Sequence, residues 1–369
     1  MPLPELLKEL FSTWPLFQHM PLWFLSLGCI LGLLFLFVFP FAGVAVYVER
    51  KIAGDIQARI GPNVVGPYGT LQWIADAIKL LFKEDIIPKE ADKKLFILAP
   101  AVIFMSGSAA FAVIPFAEHL VLTNLNIGVF YLIAITSIVT MGIIVAGWAS
   151  NNKWSLLGGL RSAAQIISFE IPVALCLMTA CLVAGSLNLS EIIDAQATFR
   201  WGILHNPFML IAAFIYYIGA LAEVNRTPFD IPEAESELVS GYNTEYSGMR
   251  FAIFFLVEYA ECFVISAIAT TLFLGGWHFP FLDLSTASLA LKMPLQIIFF
   301  MTKCIILILI MMWIRWTLPR YRVDQLMKLC WEVLVPFSFA CFLGTAAWMV
   351  IFGGKGIPEL IAGLLGFGS

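Results

Sequence analysis

Long runs of apolar residues alternate with short polar segments along the whole chain, and this pattern predicts helices that cross a membrane. A helix needs roughly 20 mainly apolar residues to span the hydrocarbon layer. Runs of about that length cover residues 22–48, 95–116, 127–149, 165–186, 206–223, 251–275, 294–316 and 333–352. We therefore expect an all-α, polytopic transmembrane helix bundle of about eight spans, with residues 1–369 forming a single integral membrane domain.

The basic residues between these runs are unevenly distributed, and this predicts a topology. Of the 21 Lys and Arg, 16 fall in the connecting segments on one side and four on the other. By the positive-inside rule the richer side is cytoplasmic or matrix, and both termini face the opposite compartment. The first run is too long for the apolar part of a signal peptide, so we expect it to be retained as a helix.

The longest inside segment, 49–94, contains turn residues followed by an amphipathic stretch at 70–83. Four apolar residues share one helical face of this stretch: Leu71, Ile74, Ile78 and Leu81. The pattern predicts a helix that lies at the membrane interface with Trp73 as its anchor. A loop helix without a function of its own is the alternative.

Composition excludes several classes of protein. Hydrophobic residues make up 60% of the chain and charged residues 12%, with a mean hydropathy of +0.91, so no part is left over for a soluble domain. There is no basic strip for nucleic acid. The seven Cys form no CxxC motif and the four His are solitary. We therefore expect no disulfide, iron–sulfur cluster or haem, and no redox centre in this chain.

An acidic inside loop, 223–250, is the most unusual polar segment. It contains six of the 25 acids but few bases, of which Arg226 stands among the acids. Those acids are Glu223, Asp230, Glu233, Glu235, Glu237 and Glu245. Carboxylates this dense beside a bilayer suggest proton handling, and the spacing of two between residues 233, 235 and 237 predicts coupled protonation. A solvated loop between two helices is the simpler interpretation.

Four charged residues fall inside predicted spans, where an ionised side chain costs at least ~2.5 kcal/mol at the centre of a helix. They are Glu170, Glu258, Glu261 and Lys303. Glu258 and Glu261 are three residues apart, so one helical face can direct both into the bundle. Ion pairing, for instance between Lys303 and a glutamate, cannot neutralise all four residues, because three of them are acids and one is a base. The excess predicts carboxylates that take up and release protons.

Two long motifs make the chain recognisable. They are YVERKIAGDIQARIGPNVVGPYGTLQWIADAIKLLFKE at 47–84 and EVNRTPFDIPEAESELVSGYNTEYSG at 223–248. Together with GGLRSAAQIISFEIP, FFLVEYAE and WIRWTLPRYRVDQLMKLCWEVLVP, they resemble the quinone-site membrane subunit of respiratory complex I, the proton-translocating NADH:quinone oxidoreductase. The resemblance covers most of the chain, from about residue 21 to 352.

The resemblance implies roles for individual residues. Four residues resemble the polar residues of the family's quinone tunnel: Arg50, Arg59, Asp76 and Lys79. Arg226 and Phe251 are weaker candidates for the same role. Eight acids resemble the family's carboxylates that link the quinone cavity to the membrane part of the enzyme: Glu170, Glu223, Asp230, Glu233, Glu235, Glu237, Glu245 and Glu258. The roles of Glu261 and Lys303 stay open.

The resemblance also implies partners and a location. Quinone would be the substrate, and FMN and iron–sulfur clusters would lie in partner subunits of the peripheral arm. Small membrane subunits and antiporter-like subunits would be neighbours, most simply in a bacterial plasma membrane with the inside loops cytoplasmic. Two alternatives are the related subunit of a ferredoxin- or F420-dependent complex or membrane-bound hydrogenase, and an independent proton-coupled transporter. No inverted repeat supports the transporter.

Overall fold

The computed structural model describes residues 2–10, 21–197, 200–232, 235–279 and 289–364. Within these ranges the regular structure is helical and no β-strand is present. The helices in chain order are α1, Leu3–Leu10; α2, formed by Leu22–Leu33, a π-helical turn Leu34–Val38 and Phe39–Ile56; α3, Gln72–Phe82; α4, Lys93–Ala110; α5, Gly128–Ala149; α6, Lys153–Ala184; α7, Leu189–Ala195; α8, Gly202–His205; α9, Pro207–Glu223; α10, Glu235–Leu238; α11, Gly248–Phe273; α12, Leu289–Thr317; α13, formed by Val323–Lys328, a π-helical turn Leu329–Leu334 and Val335–Ile351; and α14, Ile357–Leu364.

Seven helices in the described ranges are long and apolar enough to cross a membrane, namely α2, α4, α5, α6, α11, α12 and α13. The remaining predicted span, 206–223, is the shorter apolar helix α9. The prediction of an all-α polytopic bundle is therefore confirmed. Three helices extend well beyond the apolar runs. Helix α2 continues past residue 48 to Ile56, and α13 begins at Val323, ahead of the run 333–352. Helix α6 begins at Lys153, where the Asn152 side chain accepts a hydrogen bond from Trp154 N.

The bundle packs through glycine contacts and aromatic rings. A Cβ placed at Gly219 of α9 would lie 2.6 Å from Val173 Cγ2 of α6, so the glycine allows the two helices to approach closely. At the centre of the bundle, Phe263 of α11 contacts Phe37 of α2 and Phe116, which follows α4. Because lipid is as apolar as these side chains, such close packing must supply the attraction between helices.

The described parts of the acidic loop between α9 and α11 are hydrogen-bonded to α6 at several points. The buried Gln165 side chain donates hydrogen bonds to the backbone oxygens of Ala222, at 2.8 Å, and Phe229, at 2.7 Å. Ser155 donates to Tyr242 O at 3.1 Å. Because buried carbonyl groups need partners, these bonds fix the path of the acidic loop over the inside end of α6.

Helix α3 lies on the surface of the bundle, and none of its residues is fully buried. Its apolar face is open, with Ile78 48% and Leu81 62% exposed. Trp73 packs against Gly43 of α2, where an added Cβ would lie 2.5 Å from the indole ring. The predicted anchor residue thus contacts the neighbouring helix, and the exposed apolar face remains available for lipid or a partner.

Candidate functional site

The end of the bundle that carries the acidic loop contains a largely buried group of charged and polar residues. We call it the central charge cluster: Glu49, Arg226, Glu258, Tyr259 and Arg315. Four segments of the chain contribute to it. Glu49 lies on the extension of α2, Arg226 lies just after α9, Glu258 and Tyr259 lie on α11, and Arg315 lies near the end of α12. Glu49 is only 4% exposed and Arg226 also 4%.

Glu49 is the most heavily bonded residue of the cluster. Its carboxylate accepts hydrogen bonds from Arg226 Nη1 at 2.9 Å, Arg315 Nη1 at 2.5 Å and the Tyr259 hydroxyl at 2.7 Å. Hydrogen bonds to ionised groups are about twice as strong as neutral ones. Three of them on one carboxylate can offset the cost of removing that carboxylate from water.

Arg226 bridges two carboxylates. Its Nη1 binds Glu49, its Nε lies 2.9 Å from Glu258 Oε1, and its guanidinium lies 4.2 Å from the centre of the Tyr259 ring. The cluster therefore combines two guanidinium groups with two carboxylates. In its fully ionised form it has no net charge, so a proton gained or lost at either glutamate leaves an unbalanced charge in a medium of low dielectric constant.

A row of carboxylates leads from the cluster into the bundle, and we call Glu258, Glu261, Glu223 and Glu170 the carboxylate row. Glu258, Glu261 and Glu223 line one small cavity between α4, α5, α9 and α11. Its volume of about 20 Å³ is enough for a single water molecule. Glu223 lies within electrostatic range of both Glu261 and Glu170, so the four acids follow one another without a large gap.

Three members of the row lack a basic partner. Across the described ranges no Lys or Arg lies within 4.0 Å of Glu261, Glu223 or Glu170, whereas Glu258 pairs with Arg226. A buried carboxylate without a cation is costly when ionised. An arrangement of such groups around a water-sized cavity can take up a proton at one acid and release it at the next.

The acids of the inside loop have partners that the sequence did not indicate. Arg226 stands among these acids in the sequence but turns into the central charge cluster, where it pairs with Glu49 and Glu258. Asp230 pairs with Arg320 at 3.1 Å, and Glu237 pairs with Arg161 of α6 at 2.5 Å. Glu245 accepts a hydrogen bond from Asn152 Nδ2 at 2.6 Å. These donors come from segments 76 to 93 residues away in sequence, which no local pattern reveals.

Of the three glutamates with predicted coupled protonation, only Glu237 has a described side chain. Glu233 lies outside the described residues, and so does the side chain of Glu235, whose backbone begins α10. Glu237 is described, and its ion pair with Arg161 links it to α6.

The residues predicted to bind quinone are only partly brought together. Arg50 and Asp76 form an ion pair with a 2.5 Å contact between α2 and α3, and Asp76 also accepts a hydrogen bond from Gln72. Arg59 and Lys79 are exposed at the surface. The other two candidates lie apart from this pair: Arg226 belongs to the central charge cluster, and Phe251 stacks on Phe255 of α11.

Sequence reasoning overlooked Glu49, Tyr259 and Arg315. A signal for Glu49 was present, because the helical register of the first apolar run can continue through the VER sequence at 48–50. The suggested ion pair of Lys303 with a glutamate was also wrong. Its ammonium group donates instead to the backbone oxygens of Leu274, Gly276 and His278. Within the described residues, no three His, Cys, Asp or Glu side chains meet in a way that could bind a metal ion.

The fold and the site define a class of protein: a polytopic helical membrane protein with partly buried carboxylates beside an arginine pair. The family model described as NADH dehydrogenase matches residues 29–346. This chain belongs to that family. Among its relatives, a protein of Anaeromyxobacter dehalogenans, named as the H-type subunit of NADH-quinone oxidoreductase, is 46% identical over 354 residues, which are 92% of this chain and 86% of the relative.

Two further relatives carry the same name. The protein of Chlorobium luteolum is 48% identical over 342 residues, covering 89% of this chain and 92% of the relative. The protein of Rickettsia typhi is 52% identical over 296 residues, covering 79% of this chain and 84% of the relative. The similarity therefore extends over most of the length of each protein, and the part matched by the family model includes every residue of the central charge cluster.

Proposed function

We propose that this chain is the H-type membrane subunit of a proton-translocating NADH:quinone oxidoreductase, respiratory complex I. Family membership and the shared name of the relatives support this assignment. The structural observation that carries it is the carboxylate row, which begins at the arginine-bound Glu258 and continues through Glu261 and Glu223 to Glu170. A chain with this feature can convert a change of charge at one end into proton movement at the other.

In this proposal the carboxylates couple quinone chemistry to proton translocation. Reduction of a quinone near the inside surface adds negative charge, which must be balanced by protons. Asp230 lies within electrostatic range of Glu258, and this contact supports a link between the loop acids and the row. Ion pairs hold Asp230 to Arg320 and Glu237 to Arg161. Glu233, Glu235 and Glu245 would complete the inside part of this route.

The Arg50–Asp76 pair is the proposed contact for the quinone headgroup. It lies where α3 crosses α2, beside the exposed apolar side chains of α3, which suit an isoprenoid tail. Arg59, Lys79, Arg226 and Phe251 remain candidates for the lining of the tunnel. Partner subunits of the peripheral arm would cover these exposed residues and would carry FMN and the iron–sulfur clusters.

The proposed location follows from the distribution of charge. The central charge cluster, α3 and the acidic loop all lie at the end of the bundle that holds most of the basic residues. By the positive-inside rule this end faces the cytoplasm of a bacterium, so the chain would be integral to the plasma membrane with its termini on the outer side. Neighbouring small subunits and antiporter-like subunits would contact the lipid-facing helices.

The proposal is tested by replacing Glu223 with Gln, which preserves side-chain volume and hydrogen bonding but removes the titratable group. In the assembled complex we expect quinone-dependent proton uptake into vesicles to fall about tenfold or more, in line with loss of a general acid–base group. NADH oxidation by ferricyanide should be unchanged, because it requires only the peripheral arm.

Glu191→Gln is the matched control, because Glu191 is exposed on α7 at the opposite end of the bundle. This variant should pump normally. Full proton uptake by assembled Glu223→Gln would remove the carboxylate row from the proton route and would leave these acids with a structural role.

A further inference from the structure

Lys303 occupies an unusual site near the end of the bundle opposite the central charge cluster. Its Nζ donates hydrogen bonds to three backbone oxygens beyond the end of α11: Leu274 at 2.7 Å, Gly276 at 2.8 Å and His278 at 2.7 Å. The Trp201 ring lies over the same ammonium group, 4.5 Å from Nζ to the ring centre. Among the described side chains no carboxylate lies within ion-pair distance of it.

The number of acceptors favours the positively charged form of this lysine. An ammonium group has three N–H donors and no acceptor, and three carbonyl oxygens use all three donors. A neutral amine would keep two donors and direct its lone pair at a carbonyl oxygen. The three carbonyl acceptors therefore favour the protonated form of Lys303, because release of a proton would cost one of these hydrogen bonds.

A row of buried polar groups on α11 connects the carboxylates to this cation. Glu258, Cys262, Ser266 and Thr270 follow one another at intervals of four residues and so lie on one helical face. Ser266 and Thr270 are completely buried. Each donates its hydroxyl hydrogen to the backbone oxygen four residues earlier, at 2.8 Å, and Cys304 Sγ lies 3.5 Å from Thr270 Oγ1. The face ends at the Leu274 oxygen that Lys303 binds.

We propose that Lys303 is an electrostatic plug that closes this face of α11 to protons. The row of polar side chains would otherwise offer protons a route from Glu258 to the far side of the membrane. A fixed positive charge at its end raises the energy of an arriving proton, as cationic residues do in channels that exclude protons. The inference rests on the proposed function, since it requires that Glu258 exchange protons.

The test is passive proton permeability of the assembled complex in liposomes, measured with an internal pH dye after an external acid jump, with the membrane potential clamped and no NADH present. Lys303→Gln removes the charge but retains two N–H donors. We expect its proton flux to rise about tenfold, the effect of lowering a barrier by about 1.4 kcal/mol. Lys303→Arg keeps the charge and should remain as tight as the wild type.

Two further variants locate the leak. Lys292→Gln removes another lysine of the same helix, one that pairs with Glu118, and should not leak. Adding Glu258→Gln to Lys303→Gln should close the leak, because it removes the acid at the start of the face. A leak that persists in this double variant would arise from disturbed packing and would overturn the proposal.

Lys303→Met is a second uncharged variant, without the hydrogen bonds of Gln. Proton-tight liposomes with either assembled uncharged variant would refute the plug. If native gels show assembly with Arg but with neither Gln nor Met, Lys303 only anchors the loop, and the plug is again refuted. Because this assay uses neither NADH nor quinone, its result is independent of the Glu223→Gln test.

Discussion

Glu49 shows how one buried carboxylate can organise a membrane protein. It binds Arg226, Arg315 and Tyr259, which belong to three separate segments of the chain. The cluster is neutral only when both glutamates and both arginines are ionised. The stability of each ionised side chain therefore depends on the other three. Removing one partner from a buried ion pair costs about 3–5 kcal/mol, since the remaining charge is left uncompensated.

We therefore expect Glu49→Gln to leave an excess positive charge and to destabilise the assembled complex by about 3 kcal/mol or more. Arg315→Gln should also be destabilising. The double variant restores neutrality, so its loss should be smaller than the sum of the two single losses. The measurement is the midpoint of heat inactivation of quinone reductase in detergent, together with the amount assembled on native gels. Strict additivity would show that Glu49 and Arg315 do not act as a pair.

At the level of single residues, the sequence indicated the buried acids and missed their partners. Glu170, Glu258 and Glu261 were recognisable because each interrupts an apolar run. Glu49 was overlooked, because it stands at the end of such a run, where a charged residue usually meets water. Its partner Arg315 is 266 residues away, and only the folded bundle brings the two together.

The helices were predictable because their apolar runs match the thickness of a bilayer, and their contacts were not. Gly158 of α6 is an example: an added Cβ would lie 2.7 Å from the Cα of Gly241 in the acidic loop. Nothing in the GGL sequence distinguishes this glycine from one that faces lipid. Close approach of two backbones depends on the three-dimensional path of both segments.

We expect Gly158→Ala to push the acidic loop away from α6, because neither backbone can rotate out of the contact. Overpacking of this kind costs about 1–3 kcal/mol, partly offset by about 1 kcal/mol from the better helix propensity of alanine. The matched control is Gly28→Ala on α2, where an added Cβ meets nothing within 4 Å. Heat inactivation of the assembled complex should occur at a lower temperature for Gly158→Ala only. Equal behaviour of the two variants would contradict the close contact.

For the whole molecule, the arrangement of α2, α3 and the central charge cluster leads to a prediction about quinone. We expect Asp76→Asn to break the ion pair with Arg50 and to lower quinone reductase activity about tenfold, equivalent to ~1.4 kcal/mol of transition-state stabilisation. The loss should be larger with long-tailed quinones than with short ones, because only long tails reach the apolar side chains of α3. Ferricyanide reduction should be unchanged.

Asp55→Asn provides the comparison, since Asp55 is an exposed acid near the end of α2 without a partner among the described ion pairs. It should retain full activity with every quinone. If Asp76→Asn reduced quinone and ferricyanide activities together in fully assembled enzyme, Asp76 would lie outside the quinone site.

At this same scale, motif resemblance identified the family, whereas hydrophobic periodicity alone indicated only a bundle. The quinone candidates illustrate the difference. Arg50 and Asp76 are 26 residues apart and meet because the chain turns and brings α3 into contact with α2. Arg59 lies between them in sequence but remains at the surface. Proximity in sequence therefore did not determine which candidates form one site.

The distance in sequence between Glu49 and Arg315 also has a consequence for biosynthesis. At about 5–20 residues per second, a ribosome needs roughly 13–53 s to extend the chain from one residue to the other. During that time α2 has entered the membrane but Glu49 lacks its second arginine. We expect Glu49 to remain at the membrane surface, in contact with water, until α12 is inserted. The central charge cluster therefore closes among the last contacts of the nascent protein, and a chain truncated before residue 315 should remain open at its inside end and be recognised by quality-control proteases.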